Sequence, residues 1–264
     1  MAGKHSNPDV ARAVADLRKL IDATHAAIER DVKDILARLH RDGTLIVSDK
    51  HNARAMRAML EELQEQIRAA GYGDLMRAQQ RKLADLARKV LAESKKLGVS
   101  SRFDAQTADD VKALISGAHR ELLGDEVKLA RDLERVLLRS TSGVTEWGDL
   151  VKSIERVGSI NHRQALVKVE DTIAAFHTQT RVEHFGSAGI EWWLFDGPRD
   201  ERNRDWCWHF VGMRVTVEIL NAHSESYGRV HPLPPAISLG GYRCRHQLIP
   251  LAADDLDRYD VGPR

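Results

Sequence analysis

Proline is missing between Pro8 and Pro198, so this helix breaker is confined to the first and last parts of the 264-residue chain. A gap that long permits extended, uninterrupted helices. Aromatic residues are scarce over the same stretch, with only Tyr72, Phe103 and Trp147 before residue 160. Lysine stops at Lys168, and arginine carries the positive charge afterwards. Cysteine is limited to Cys207 and Cys244, too few for a disulfide framework in a chain of this length. There is no excess charge of either sign: 40 basic and 39 acidic residues leave a net +1. The basic surplus typical of non-specific nucleic-acid binders is therefore lacking, and net charge does not indicate DNA contact. No apolar run approaches the roughly 20 residues that span a bilayer, so no membrane association is expected. The first residues, Met1-Ala2-Gly3-Lys4-His5, lack the apolar segment of a secretory signal, which implies synthesis in the cytosol. The G-x-x-x-x-G-K-[ST], H-E-x-x-H and G-x-S-x-G templates are all missing, and no enzymatic activity is expected.

What is present before residue 160 is helical periodicity. Asn7-Pro8-Asp9 combines an N-cap oxygen, a proline at the first helical position and an acid on the positive dipole end. Val10, Val14, Leu17, Ile21, Thr24, Ile28, Val32, Ile35 and Leu39 then recur every three or four residues, which predicts one long amphipathic helix ending near Gly43. Leu45-Ile46-Val47 is a short strand or buried loop. A second helix from about Ser48 carries Met56, Met59, Leu60, Leu63 and Ile67. A third runs from Asp74 to about Leu97 on Leu75, Gln79, Leu83, Leu86 and Val90. Thr107-Ala108-Asp109-Asp110 resembles a capping box before a further helix, and Ser140-Thr141-Ser142-Gly143 is a polar break. A short helix around Trp147 and a last long helix over 161–186 complete this part. Helices of such length normally pair with another, within the chain or through self-association.

The last quarter is of another kind. Ile190 to Pro198 predicts a strand closed by a turn, with Trp192 and Trp193 on opposite faces and both covered. Val211 to Val217 gives a turn and a second strand, with a short helix from Thr216 as the alternative. His231-Pro232-Leu233-Pro234-Pro235 reads as loop. Gln247 to Leu251 is a final edge strand that tolerates Pro250. The fold class expected is mainly α: long amphipathic helices in the N-terminal region, then a small α+β C-terminal domain with a short antiparallel sheet. The boundaries expected are 1–158 for the helical region and 159–264 for the C-terminal domain, the latter made of helix 161–186 and the compact unit 189–251.

Two segments of this unit carry metal-ligand chemistry. Cys207-x-His209 and Cys244-x-His246 could each give one sulfur and one imidazole to a tetrahedral structural zinc. In an extended chain an i,i+2 pair shares a face. His223 and His231 are substitutes should His209 point away. Two packed free cysteines flanked by hydrogen-bonded histidines are the alternative without metal. His162, His177 and His184 on the last helix are read as satisfied or surface residues.

The order Gly189-Ile190-Glu191-Trp192, Gly197-Pro198-x-Asp200, Arg204-Asp205-x-Cys207 with Val211-Gly212, and Gly240-Gly241-Tyr242-x-Cys244-Arg245-His246 resembles the tailed-phage minor head protein family, the phage Mu F-like head morphogenesis domain. The likeness covers about residues 160–251. It implies a minor structural protein of the virion, present in the host cytoplasm during assembly. Portal protein, major capsid protein or both would be its partners, and head morphogenesis or genome delivery its role. Some relatives carry Cys-x-x-Cys at the first motif and Cys-Arg-Cys at the second, implying a four-sulfur zinc site. Here Cys207, Cys244 and His246 correspond, Phe210 stands in the second-cysteine place, and His209 is the neighbour able to take over. The alternative function is a metal-dependent nuclease or DNA-binding protein acting on the phage genome during packaging or ejection.

Overall fold

The computed structural model describes residues 7–47, 49–52, 73–98, 127–137, 145–223 and 233–262, with isolated positions between 54 and 71. His231, Met56, Met59, Leu60 and Leu63 of the predicted second helix, the Thr107 capping box and the Ser140–Gly143 break lie outside the described residues, whereas Ile67 of that helix is buried. Among the described residues no helix is long and apolar enough to cross a membrane.

The molecule is mainly helical with a small antiparallel sheet near its C-terminus, as the sequence predicts. Helix α1 (Pro8–Leu36) starts where the cap signal lies: Asn7 Oδ1 accepts the N–H groups of Asp9 at 2.9 Å and Val10 at 3.1 Å. Its stripe of Val10, Leu17, Ile21, Thr24, Ile28, Val32 and Leu36 is buried. A short antiparallel sheet follows, β1 (Arg41–Asp42) and β2 (Leu45–Ile46), completed much later by β3 (Thr145–Glu146). Helix α2 (Gly73–Lys96) buries Leu75, Gln79, Leu83, Leu86 and Val90 on one face. Residues 127–137 form α3, with Leu133 and Leu137 buried.

Helix α4 (Trp147–Ser187) corrects the reading of two separate helices around Trp147 and over 161–186. It is one 41-residue element. Gly158 lowers helix propensity by about 1 kcal/mol relative to alanine, too little to break a helix that buries one face from end to end. Leu150, Ile154, Ala165, Val169, Ile173, Phe176 and Phe185 all lie in cores. The expected boundary at 158/159 therefore falls within an unbroken helix.

The chain divides instead into two compact units, each assembled from distant stretches. The aliphatic unit comprises Leu17–Gln79 and Gly117–Leu166. Its core draws Ile28, Val32 and Leu36 of α1, Leu133 and Leu137 of α3, and Leu150 and Ile154 of α4 into one cluster. The aromatic unit comprises Met1–Asp16, Gln80–Ser116 and Val167–Arg264. Its sheet has β4 (Trp193–Asp196) at the centre, flanked by β5 (Arg214–Val215) and β6 (Gln247–Pro250), both antiparallel to it. Pro250 sits on the β6 edge, where a missing N–H breaks no ladder. Along β4 the side chains alternate. Trp193 and Phe195 point into the core, while Leu194 and Asp196 are half-buried. Trp192 is also only half-buried, with the Arg214 guanidinium 5.4 Å from its ring, so both faces are not equally covered as expected.

Three short helices pack around this sheet: α5 (Asp205–Phe210), α6 (Val217–Ala222) and α7 (Pro235–Ser238). Thr216 caps α6, its Oγ1 accepting the Ile219 N–H at 3.2 Å, so the short-helix alternative holds beyond Thr216. Pro235 opens α7 at a first-turn position, where the missing N–H is harmless; the prolyl segment is thus not all loop. Past β6, a 3₁₀ turn (Ala253–Arg258) returns the chain so that Val261 bridges Arg214, with Arg214 N–H donating to Asp260 and Gly262 N–H donating to Arg214.

Candidate metal centre

The Cys207-x-His209 pair is expected to share a face in extended chain but lies on helix α5, and this rearranges the candidate ligands. Each helical residue turns about 100°, so Cys207 and His209 face nearly opposite sides. Cys207, Trp206 and Phe210 are buried in the aromatic core. His209 is half-buried, its ring edge-on to Phe210 at 5.2 Å and 6.1 Å from the ring of His223. His223 ends α6, with Nδ1 2.9 Å from the Ile219 carbonyl. Neither histidine joins the sulfurs, because the face-sharing expected of an i,i+2 pair holds only for extended backbone.

Cys207, Cys244 and His246 do come together: one donor atom from each lies within 4.8 Å of the others. Among the described residues this group could hold a metal ion. Cys207 arrives from α5. Cys244 and His246 arrive from the loop between α7 and β6, where the i,i+2 relation places both side chains on one side. Neither cysteine is in a disulfide.

The imidazole is fixed from several directions. Its Nε2 lies 3.1 Å from the Pro198 carbonyl oxygen. A carbonyl can only accept, so Nε2 carries the proton, and in the neutral ring Nδ1 presents its lone pair to Cys244 Sγ at 3.4 Å. Metal-bound histidines usually donate their second nitrogen to just such a carbonyl. The Asn203 amide donates to the same oxygen at 2.7 Å, and Phe195 stacks on the ring at 5.1 Å. A side chain at Gly197 would place Cβ 2.4 Å from His246 Cδ2, so the close approach of this turn to the ring requires glycine.

The loop carrying Cys244 is equally constrained. A Cβ on Gly240 would lie 2.2 Å from Cys207 Sγ and 3.1 Å from Cys244 Sγ, so only glycine leaves the sulfurs their space. The Gly240 N–H donates to Cys244 Sγ at 3.2 Å. Leu239 and Arg243 adopt positive φ, 50° and 57°, an arrangement that costs about 1–3 kcal/mol per residue and persists only when the surroundings impose it. They are imposed here by Arg204, whose guanidinium donates to Gly240 O at 2.9 Å and Tyr242 O at 2.5 Å. Arg243 is held from α4: its backbone N–H donates to Asp171 Oδ1 at 2.5 Å and its Nε donates to Glu170 at 2.8 Å. Arg245 forms a two-pronged pair with Asp200, Nη1 donating to Oδ2 at 2.7 Å and Nη2 to Oδ1. That pair holds the Asp200 carboxyl down at about 2.

The two thiols titrate as a unit. The hydrogen bond from Cys207 keeps Cys244 well below the usual thiol range. The same bond, with burial, pushes Cys207 up. Two sulfurs beside an oriented imidazole are a donor set that a soft or borderline cation can occupy.

No family model, curated protein or solved structure matches this chain. The site therefore stands on its own geometry. Within it, Asp171 escaped sequence reading altogether, because it sits 73 positions before Cys244 on a helix whose periodicity marks only apolar residues. Gly197 is legible as a turn residue and Gly240 as part of a motif, but neither as the close-approach point that it is. The remaining helical histidines are accounted for locally. His184 Nε2 lies 2.7 Å from Ser94 Oγ and His162 Nε2 lies 2.7 Å from Asp22, while His177 is buried.

Proposed function

We propose that this chain is a minor structural protein of the tailed-phage head, akin to the Mu F-like head morphogenesis proteins, and that it docks at the portal vertex or the inner capsid without catalysing a reaction. The observation that carries the reading is that three of the four motif fragments interlock. Pro198 holds His246, Asp200 holds Arg245, Arg204 holds Gly240 and Tyr242, and Cys207 meets Cys244. Residues scattered over some fifty positions that hold one another form the signature of one folded module, rather than a chance series of weak matches. The outward faces of the long helices supply surface for docking on a ring or a shell.

Zinc is the metal proposed for the Cys207, Cys244 and His246 group. Two sulfurs and an imidazole favour it over hard cations, which take oxygen donors. Its contribution would be structural, tying α5 to the loop that precedes β6. The test of the role is co-purification with portal protein, proheads or virions when the chain is expressed with its neighbouring genes. Consistent failure to associate would overturn it. Plasmid nicking lost in His246→Ala would instead favour the nuclease.

A further inference from the structure

We infer that the metal held by Cys207, Cys244 and His246 takes a water molecule as its fourth ligand, and that Asp171 is the acceptor that positions this water. The inference rests on the metal reading above and extends it to a residue on a different element. Asp171 lies on α4, and its two carboxylate oxygens differ in circumstance. Oδ1 accepts the Arg243 N–H, whereas Oδ2 is buried with no hydrogen-bond partner. A buried acceptor left unsatisfied costs about 1–3 kcal/mol, so such atoms in folded proteins usually mark a bound water or ion.

Asp171 faces a cavity of about 20 Å³ that it lines together with Cys244 and His246. That volume suits a single water, which needs roughly 10–15 Å³. Thr178, Ser238 and Gly241 also line it. Asp171 itself stands outside the three-donor group, so the carboxylate reaches the metal position through an intervening molecule and not by direct ligation. Burial also pushes the Asp171 carboxyl up to about 6, against the lowering effect of the Arg243 N–H. A cation across the cavity opposes that shift. Three protein donors plus one water complete a tetrahedron.

The test uses the full chain loaded with Zn(II), and Co(II) as a spectroscopic probe. X-ray absorption of the wild-type zinc form should show two sulfurs, one imidazole and one further light atom that is not a second imidazole. Chelator competition should show zinc held about 10–100-fold more weakly by Asp171→Asn. The cobalt form of that variant should keep its thiolate charge-transfer bands, since both cysteines still bind. Asparagine retains an oxygen for the Arg243 N–H, so the variant keeps the loop anchored. A second imidazole in the wild-type shell, or unchanged affinity in Asp171→Asn, overturns the role of water and Asp171 while leaving the metal reading intact. Wild-type protein that takes up no zinc or cobalt overturns both.

Discussion

The two compact units bury their cores in different ways. In the aliphatic unit, Ile28, Val32, Leu133, Leu137, Leu150 and Ile154 come from three helices that repeat one side-chain type at one spacing. In the aromatic unit, Trp193, Phe195, Trp206 and Phe210 interlock at specific angles, with Phe195 edge-on to Trp206 at 5.5 Å and Trp206 tilted on Phe210 at 4.8 Å. A polar shell of Arg204, Asp200, Arg245 and His246 surrounds them. A stripe of aliphatic residues tolerates exchange of one branched side chain for another. An aromatic cluster built against two sulfurs and an imidazole does not, because ring geometry and polar partners are specified together.

The contrast breaks most sharply at the candidate metal site of Cys207, Cys244 and His246. Zinc binding to structural sites contributes about 10–16 kcal/mol in small peptides, and that energy is folding energy. In zinc-loaded protein, removing the ion by chelation, or the donor by Cys244→Ser, should therefore strip hydrogen-exchange protection from β4 and β6 while amides of α3 keep theirs. Uniform loss across both units would refute this division of labour. Next in size is truncation within each core. Phe195→Ala should cost about 3–5 kcal/mol and Leu133→Ala about 2–5 kcal/mol in denaturant unfolding. Phe195 also stacks on His246, so only the first substitution should weaken zinc binding. Equal metal affinity in the two variants would show that the ring merely fills space.

How much of this could be read in advance follows the same division. The helices of the aliphatic unit and the cap of α1 are local in cause, since three-four spacing and an Asn-Pro-Asp start determine them within a few residues. The joining of α4 across Gly158 was missed because the cost of one glycine is small beside the burial along the whole helix. In the aromatic unit the strands were legible from bulky residues and turns. The ligand set was half legible: Cys244 and His246 share a face, but the helical state of Asp205–Phe210 turns His209 away from Cys207. Nothing within that hexapeptide marks it as helix, and its three buried residues are held by partners far along the chain. Asp171 and the Pro198 carbonyl are further products of tertiary contact.

Acid offers a way to load the aliphatic unit selectively by mutation. Burial, with the neighbouring His162, lowers His25 from 6.5 to about 4, while Asp22 opposes the shift. The unfolded chain therefore takes up a proton that the folded chain refuses between those values. Stability from this residue is fully present above pH 6.5 and declines as the pH falls towards 4, by at most about 3 kcal/mol at 1.36 kcal/mol per unit. His25→Gln should flatten that part of the unfolding profile. An unchanged slope would assign the acid sensitivity to other groups.

The smallest effect tests whether locality, and not membership of a unit, decides what a sequence reveals. Asn7 belongs to the aromatic unit, yet its cap on α1 was readable from three consecutive residues. Its side chain also donates to Gln247 Oε1 at 3.3 Å, a contact no local pattern announces. Asn7→Ala removes both and should cost about 1 kcal/mol, the usual worth of an N-cap. Asn7→Asp keeps the capping oxygen and adds a charge favoured at a helix start, but it loses the donor to Gln247. If the cap dominates, thermal unfolding of the aspartate variant should stay close to that of the wild type. If instead it falls as far as the alanine variant, the distant hydrogen bond carries the stability, and even this legible feature depends on the tertiary fold.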